Sequence, residues 1–183
     1  MEIMTKIIGF TGQAGVGKTT IARMLSRHQW QSDIVSFAGS LKGALQILTM
    51  LPSEYFTDSK LKEIPIEGIG KTPRELMQIC GTEFVRQMIH PDFWCWRMLR
   101  VLATMSEYDL ILIDDVRFEN EAAMIRELGG TVVHLRRDFK SPTTHGWHES
   151  ERALRVMDDD IVIDSGKFDV LHTLDLLDRA GIS

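Results

Sequence analysis

Residues 12–19 read Gly12-Gln13-Ala14-Gly15-Val16-Gly17-Lys18-Thr19, and this octet decides how the rest of the chain is read. It matches GxxxxGK[ST], the pattern of a phosphate-binding loop. Its glycines let the backbone curl so that successive N–H groups point at phosphate oxygens, and the helix that follows adds a favourable dipole. Lys18 reaches β- and γ-phosphates, and the Thr19 hydroxyl is placed to hold Mg²⁺. The expected nucleotide cradle is therefore Gly12, Ala14, Gly15, Val16, Gly17, Lys18, Thr19 and Thr20. A chance match in a chain of this size is on the order of 1%, and the correct flanks, strand before and helix after, lower it further. The octet implies a nucleoside triphosphate but not what is done with it. No Asn-Lys-x-Asp tetrapeptide reads guanine, and no Leu-Ser-Gly-Gly-Gln run marks a transport ATPase.

Outward from the octet, short apolar runs alternate with helical patterns. Lys6–Thr11, Ile34–Ala38, Leu110–Ile113, Thr131–Leu135 and Asp160–Ile163 have the β-branched, consecutively apolar character of strands covered on both faces. Helical periodicity falls at about 17–28, 40–50, 73–89, 92–106, 119–128 and 168–180. This alternation predicts an α/β fold with a parallel sheet and right-handed crossovers. With 183 residues, 44% of them hydrophobic and 26% charged, a single domain over 1–183 with its own core is expected. Two stretches, 52–72 and 136–150, carry Pro and Gly and read as long loops, which in a compact domain are usually functional.

Charge and composition exclude several classes. With 26 acidic against 21 basic residues the net charge is −5, which supports neither a nucleic-acid coat nor a polybasic membrane anchor. No run reaches the ~18 apolar residues of a membrane span. Cys80 and Cys95 form no CxxC pair and read as buried thiols in a reducing compartment. A cytoplasmic protein is expected.

A phosphoryl acceptor that is itself a phosphate ester needs a second anion site. Thr72-Pro73-Arg74-Glu75 is a capping box with proline at the first helical position. Beyond it Arg74, Gln78, Thr82 and Arg86 recur every four residues, with Leu76, Ile79, Cys80, Phe84 and Met88 available for burial elsewhere around the helix. An arginine grips phosphate bidentately and a glutamine reads a base edge; a solvated polar face is the competing reading. Leu110-Ile-Leu-Ile-Asp114-Asp115-Val-Arg117 then puts acids and an arginine at a strand's carboxyl end, where ligands bind in doubly wound folds. Asp115 is expected to orient Mg²⁺-bound water or the acceptor and Arg117 to neutralise charge on the transferring group, with a helix cap near 119 as the alternative.

At this point the residues carry a resemblance. Gly12–Thr19, Phe37-Ala-Gly-Ser-Leu-Lys42, Thr72-Pro-Arg-Glu-Leu-Met-Gln78-Ile-Cys-Gly-Thr-Glu83-Phe-Val-Arg86, Asp92-Phe-Trp94, Asp115-Val-Arg-Phe-Glu-Asn-Glu121 and His148-Glu-Ser-Glu151 resemble the bacteriophage deoxynucleoside monophosphate kinases, a branch of the P-loop nucleoside/nucleotide kinases. The resemblance spans about residues 6–165. It implies a three-layer fold with strand order 2-3-1-4-5, an acceptor-binding region at about 38–106 and a lid at about 136–150. It also implies Mg·ATP-dependent conversion of a dNMP to a dNDP. It implies Arg74, Gln78 and Arg86 on the substrate side and Asp115 with Arg117 near the transferring group; Lys42, Glu121 and Trp94 are further expected substrate-side residues, Trp94 as an aromatic that could stack a base or belong to the core. Charge at the reacting phosphate would be stabilised by Lys18, Arg117 and Arg137, with Thr19 on Mg²⁺ and Asp115 beside the transferring group. The family often carries an acid after Phe-Ala, where this chain has Gly39-Ser40.

Phosphoryl transfer must exclude water, and kinases of this kind close an arginine-bearing segment over the phosphates. Arg136-Arg137-Asp-Phe-Lys140 fits that need, with Arg137 the expected clamp and Arg136 its competitor. His148, Ser150 and Glu151 read as positional or capping, because an anionic phosphate nucleophile hardly needs a general base. Trp96 is expected in the core. Asp158, Asp159 and Asp160 read as a solvated turn, and Asp164-Ser-Gly-Lys167 lies where related kinases touch adenine. The expected partners are the small-molecule substrates dNMP and ATP, with no nucleic acid and no membrane; a homodimer is left open. The rival readings are a dephospho-coenzyme A kinase or other small-molecule P-loop kinase, and a regulatory or nucleic-acid-stimulated ATPase.

Overall fold

The computed structural model describes residues 5–28, 31–136 and 153–164, together with Asp175 and Asp178. These fall into two compact units, one holding the described residues up to Ser36 and from Leu99 onward, the other Phe37–Met98.

The first unit is built on five parallel strands: β1 Lys6–Thr11, β2 Ser32–Val35, β3 Leu110–Ile113, β4 Thr131–Arg136 and β5 Ile161–Asp164. Their order is β2-β3-β1-β4-β5, as the resemblance implies. The register runs Lys6↔Leu110 to Gly9↔Ile113 on one side of β1 and Ile8↔Thr131 to Thr11↔His134 on the other. Alternation sorts the side chains. Ile8, Phe10, Leu110, Leu112, Val133, Leu135 and Ile163 pack with Ile21, Ala22 and Leu25 of α1 (Lys18–His28) into one core. The opposite face takes α6 (Glu119–Glu127), which comes so close at Gly9 that a Cβ there would run into the Ile125 side chain. All four β3 residues are buried, as a strand covered on both faces requires.

Boundaries depart from the sequence reading where pairing decides them. The second strand is expected at Ile34–Ala38, but β2 is Ser32–Val35 because its partner among the described residues, the four-residue β3, matches it from Ser32↔Leu110 to Val35↔Ile113. The last strand starts one residue later than expected, at Ile161, and this releases Asp160 for another role. From sequence Asp160 reads as part of a solvated turn, yet its side chain is 1% exposed. It accepts two hydrogen bonds from Arg126 of α6, at 2.9 and 2.7 Å, and one from the Met157 amide at 2.8 Å. It also lies 2.9 Å from His134 Nε2 of β4. One carboxylate thus ties a helix, a strand and a turn together, while Asp158 and Asp159 are exposed as expected.

The second unit is helical: α2 Gly39–Thr49, α3 Glu54–Thr57, α4 Pro73–Gln78, and the first turns of α5 (Phe93–Leu102). The stretch 52–72 is not a plain loop, since it folds into α3 and a 3₁₀ turn at Leu61–Glu63. The capping box is present. Thr72 Oγ1 accepts from the Glu75 amide at 3.1 Å and Glu75 Oε2 from the Thr72 amide at 2.8 Å, which holds the Glu75 carboxyl below its ordinary pKa.

The helix expected over 73–89 changes its winding. After α4 the chain continues as an 11-residue π-helix, Ile79–Ile89, and the His90 amide closes it with a bond to Val85 O five residues back, at 3.0 Å. A π-helix needs more than four residues per turn and is found mostly as single turns. The stripe residues turn inward, Arg74 and Gln78 partly and Thr82 and Arg86 fully, and the apolar positions are not all inside. Phe84 is 51% and Met88 76% exposed, whereas Thr82 and Arg86 are buried. Tertiary contacts choose this face: a Cβ on Gly81 would strike Leu41 of α2, and the Gly81 carbonyl takes a hydrogen bond from Trp94 Nε1 at 2.9 Å.

Candidate active site

The phosphate loop leaves β1 at Gly12, whose φ of +138° is open to glycine and strained for any L side chain. A Cβ there would also lie deep inside contact with the Leu135 carbonyl oxygen of β4. Val16 anchors the loop in the core, 1% exposed, and the Ile21 amide bonds to Gly17 O at 3.0 Å as α1 begins. Ala14, Gly15, Thr19 and Thr20 are exposed. Lys18 Nζ donates to Gly12 O at 2.7 Å and Gln13 O at 2.9 Å, so the ammonium pins the mouth of its own loop. Gly12→Ala is expected to weaken ATP binding at least tenfold, because left-handed strain costs about 1–3 kcal/mol before any clash is counted. ATP titration checks this, and thermal melting shows whether the fold is kept.

Thr19 Oγ1 donates to Asp114 Oδ2 at 2.6 Å. The sequence reading weighted Asp115; the acid that meets the loop threonine is Asp114, the first residue beyond β3. Its amide reaches Val35 O of β2 at 3.3 Å, and two residues on the Val116 amide bonds to Phe10 O of β1 at 3.1 Å. The strand end is therefore clamped between both neighbours. A hydroxyl and a carboxylate are hard oxygen donors, and Mg²⁺ is commonly held by one or two protein oxygens plus substrate phosphates. Thr19 and Asp114 fit that donor set. The signal was available in the sequence: a strand ending at Ile113 makes Asp114 the first acid outside it.

Asp115 and Arg117 follow, both partly buried. Glu121 is 2% exposed, and its Oε2 accepts from the Arg117 amide at 2.8 Å and the Phe118 amide at 3.1 Å. This is the returning half of a capping box without a hydroxyl at Phe118 to complete it. Glu121, expected on the substrate side, braces the Arg117 backbone from within.

In the second unit, Arg74 sits on the first turn of α4 with its Nε 2.5 Å from Glu63 Oε1 on the 3₁₀ turn. Gln78 and Lys42 are partly buried, Lys42 on α2. Arg86 is 8% exposed and donates from Nη1 to Pro91 O at 3.0 Å. Of the two tryptophans, Trp96 departs from its expected place in the core. Trp94 is buried with its indole N–H on Gly81 O and its ring edge-on to Phe93, while Trp96 is exposed. The reason is α5 itself: a helix two residues apart cannot bury both rings on one face, and the Gly81 carbonyl selects Trp94. Arg136 closes β4 and is exposed. Arg137, the rest of the lid stretch, His148–Glu151, Ser165–Lys167 and most of the last expected helix lie outside the described residues.

A phosphate loop between the first strand and first helix of a 2-3-1-4-5 parallel sheet, with threonine and aspartate oxygens meeting beside it, defines a phosphotransferase of the P-loop kinase fold. The tunicamycin resistance protein of Deinococcus radiodurans shares this fold, with a TM-score of 0.53 and 16% identity over 98% of this chain and 97% of that one. Residues 70–173 match the family model for deoxynucleotide monophosphate kinase. A protein of Acanthamoeba polyphaga mimivirus assigned to the same activity is 33% identical over 176 residues, 88% of this chain and 89% of that protein. The deoxynucleotide monophosphate kinase of Escherichia phage RB69 is 29% identical over 146 residues, 76% of this chain and 56% of its own length. The deoxynucleoside-5'-monophosphate kinase of Escherichia phage T5 is 35% identical over 69 residues, 38% of this chain and 27% of its own. The chain belongs to the deoxynucleotide monophosphate kinase family.

Proposed function

We propose that this chain moves the γ-phosphoryl group of ATP onto the α-phosphate of a deoxynucleoside monophosphate. A non-bridging oxygen of the acceptor phosphate forms the new bond to the γ-phosphorus, and the β–γ bridging oxygen leaves with ADP. The observation that carries the reading is the loop itself: amides from Gly12 to Thr20, the Lys18 ammonium, and the Thr19–Asp114 oxygen pair at 2.6 Å.

Thr19, with Asp114 alongside, would hold Mg²⁺, which would supply charge neutralisation at the phosphates. Lys18 exchanges the Gly12 and Gln13 carbonyls for phosphate oxygens, which gain more from an ammonium than neutral carbonyls do. Arg117, its backbone braced by Glu121, and Asp115 stand beside the transferring group, and Arg137 is the arginine assigned to closing over it. Arg74, Gln78 and Arg86 take the acceptor, with Lys42 beside them. For Trp94 the buried ring and the bonded indole N–H support a wall of the acceptor unit rather than a stacking platform. Because the acceptor nucleophile is already an anion, positioning and charge neutralisation carry the rate, and no general base is assigned. Among the described residues no helix is long and apolar enough to cross a membrane; the substrates are small nucleotides, and the reading places the enzyme in the cytoplasm.

The test is ADP release measured across the four dNMPs, the NMPs, dephospho-coenzyme A and duplex DNA. At least one dNMP is expected to stimulate ADP release stoichiometrically with dNDP formation. ADP release driven only by DNA, or only by dephospho-coenzyme A, overturns the reading.

A further inference from the structure

We infer that Glu63 is a positioning residue for the acceptor, acting through Arg74: it holds the guanidinium in the orientation that grips the acceptor phosphate. The inference rests on the reading of Arg74 as a phosphate ligand and goes beyond it by naming what aims that arginine.

Three observations within the helical unit carry it. The backbone of Arg74 is fixed first, because it lies between Pro73, buried at the first helical position, and Glu75, which closes the capping box on Thr72. Its side chain is then fixed by Glu63, whose Oε1 lies 2.5 Å from Nε. Both side chains are largely withdrawn from solvent, 22% exposed for Arg74 and 30% for Glu63. A contact at Nε restrains the rotation that sets the plane of the guanidinium, and that plane decides whether two parallel N–H bonds to one phosphate can form. A free arginine would have to order a long side chain when substrate arrives; an arginine already ordered in the apo protein loses less on binding.

The position itself argues the same way. The first turn of a helix is where a cation is least helped by the backbone dipole, so Arg74 there requires anions nearby. Glu63 comes from the 3₁₀ turn eleven residues earlier, in a stretch that reads from sequence as a Pro/Gly loop, and that turn is packed against α4. An exposed ion pair of this kind would contribute little; one that is part-buried and placed on Nε restricts geometry.

The experiment is steady-state kinetics on the full chain with each of the four dNMPs, comparing Glu63→Ala, Glu63→Gln, Arg74→Ala and the double variant Glu63→Ala/Arg74→Ala. Acceptor titration and thermal melting accompany it. Glu63→Ala is expected to raise the acceptor KM about tenfold, on the scale of a misplaced substrate-gripping group, with the ATP KM and kcat within about twofold of wild type. Glu63→Gln keeps an oxygen on Nε and is expected to recover most of that loss. Removing Glu63 from the Arg74→Ala background should change acceptor affinity no further. If Arg74→Ala raises the acceptor KM but Glu63→Ala does not, the inference fails while the assignment of Arg74 stands. An acceptor KM lowered by Glu63→Ala overturns it in the opposite sense, because the carboxylate then competes with the phosphate. Additive losses in the double variant overturn it too, and unchanged acceptor kinetics in Arg74→Ala remove both the assignment and the inference.

Discussion

Replacing Lys18 with alanine is expected to lower kcat/KM for ATP by about 10²–10³ or more, the scale seen when one preorganised charge donor is removed from a transition state. Two separate losses add. The ammonium that neutralises developing charge on the γ-phosphate is gone, and so are the bonds at 2.7 and 2.9 Å that hold the Gly12 and Gln13 carbonyls. The loop would then have to be ordered by the nucleotide it binds. The rest of its frame is independent of Lys18, since Val16 is seated in the core and Gly17 and Ile21 start α1. Thermal melting should therefore change little while ADP release nearly disappears. ADP-release kinetics near wild type in Lys18→Ala would show that the cradle does not handle the transferring phosphate.

The second large effect is on stability. Asp160→Ala is expected to cost about 3–5 kcal/mol, the range for deleting one partner of a buried ion pair, which lowers the melting temperature of a chain this size by roughly 10 °C. The size follows from the number of groups orphaned: both Arg126 contacts, the Met157 amide and His134 lose one common acceptor. The same carboxylate makes stability depend on pH. Burial alone would raise its pKa, but the hydrogen bonds from Arg126, Met157 and His134 and the Arg126 charge outweigh burial and hold it at about 2, below the ordinary 3.8. A lowered folded-state pKa contributes stability that is complete above the ordinary value and lost as pH falls from there through the folded one. The contribution is about 2 kcal/mol, smaller than the mutational cost because a protonated carboxyl still fills its place and accepts some of its bonds. The gap between the melting curves of wild type and Asp160→Ala should be constant from pH 7 to about 4 and narrow by about half between about pH 4 and 2. A gap that is constant down to pH 2 would assign the loss to packing instead of charge.

Some of this chemistry is written in short stretches and needs no partner to be read. Gly12 to Thr19 specifies a phosphate cradle because its requirements, positive φ, successive amides and one cation, are met within eight residues. Thr72 to Glu75 likewise specifies a helix start, and the strand–helix alternation specifies the parallel sheet and, with the resemblance, its order. What those patterns could not decide are contacts between residues far apart in the chain. The strand end that makes Asp114 the first acid outside β3 is legible, but its meeting with the Thr19 hydroxyl 95 positions away depends on how β3 pairs beside β1. Asp160 reads as a surface acid until Arg126 and His134, 34 and 26 residues away, are folded onto it. Phe84 and Met88 have helical spacing for burial, yet the approach of Gly81 to Leu41 and Trp94 turns Thr82 and Arg86 inward instead. Local sequence sets backbone propensity, capping and loop chemistry, which act over one or two turns. Which face is buried, and which acid meets which hydroxyl, is settled by close packing between distant segments, and only the tertiary structure contains that.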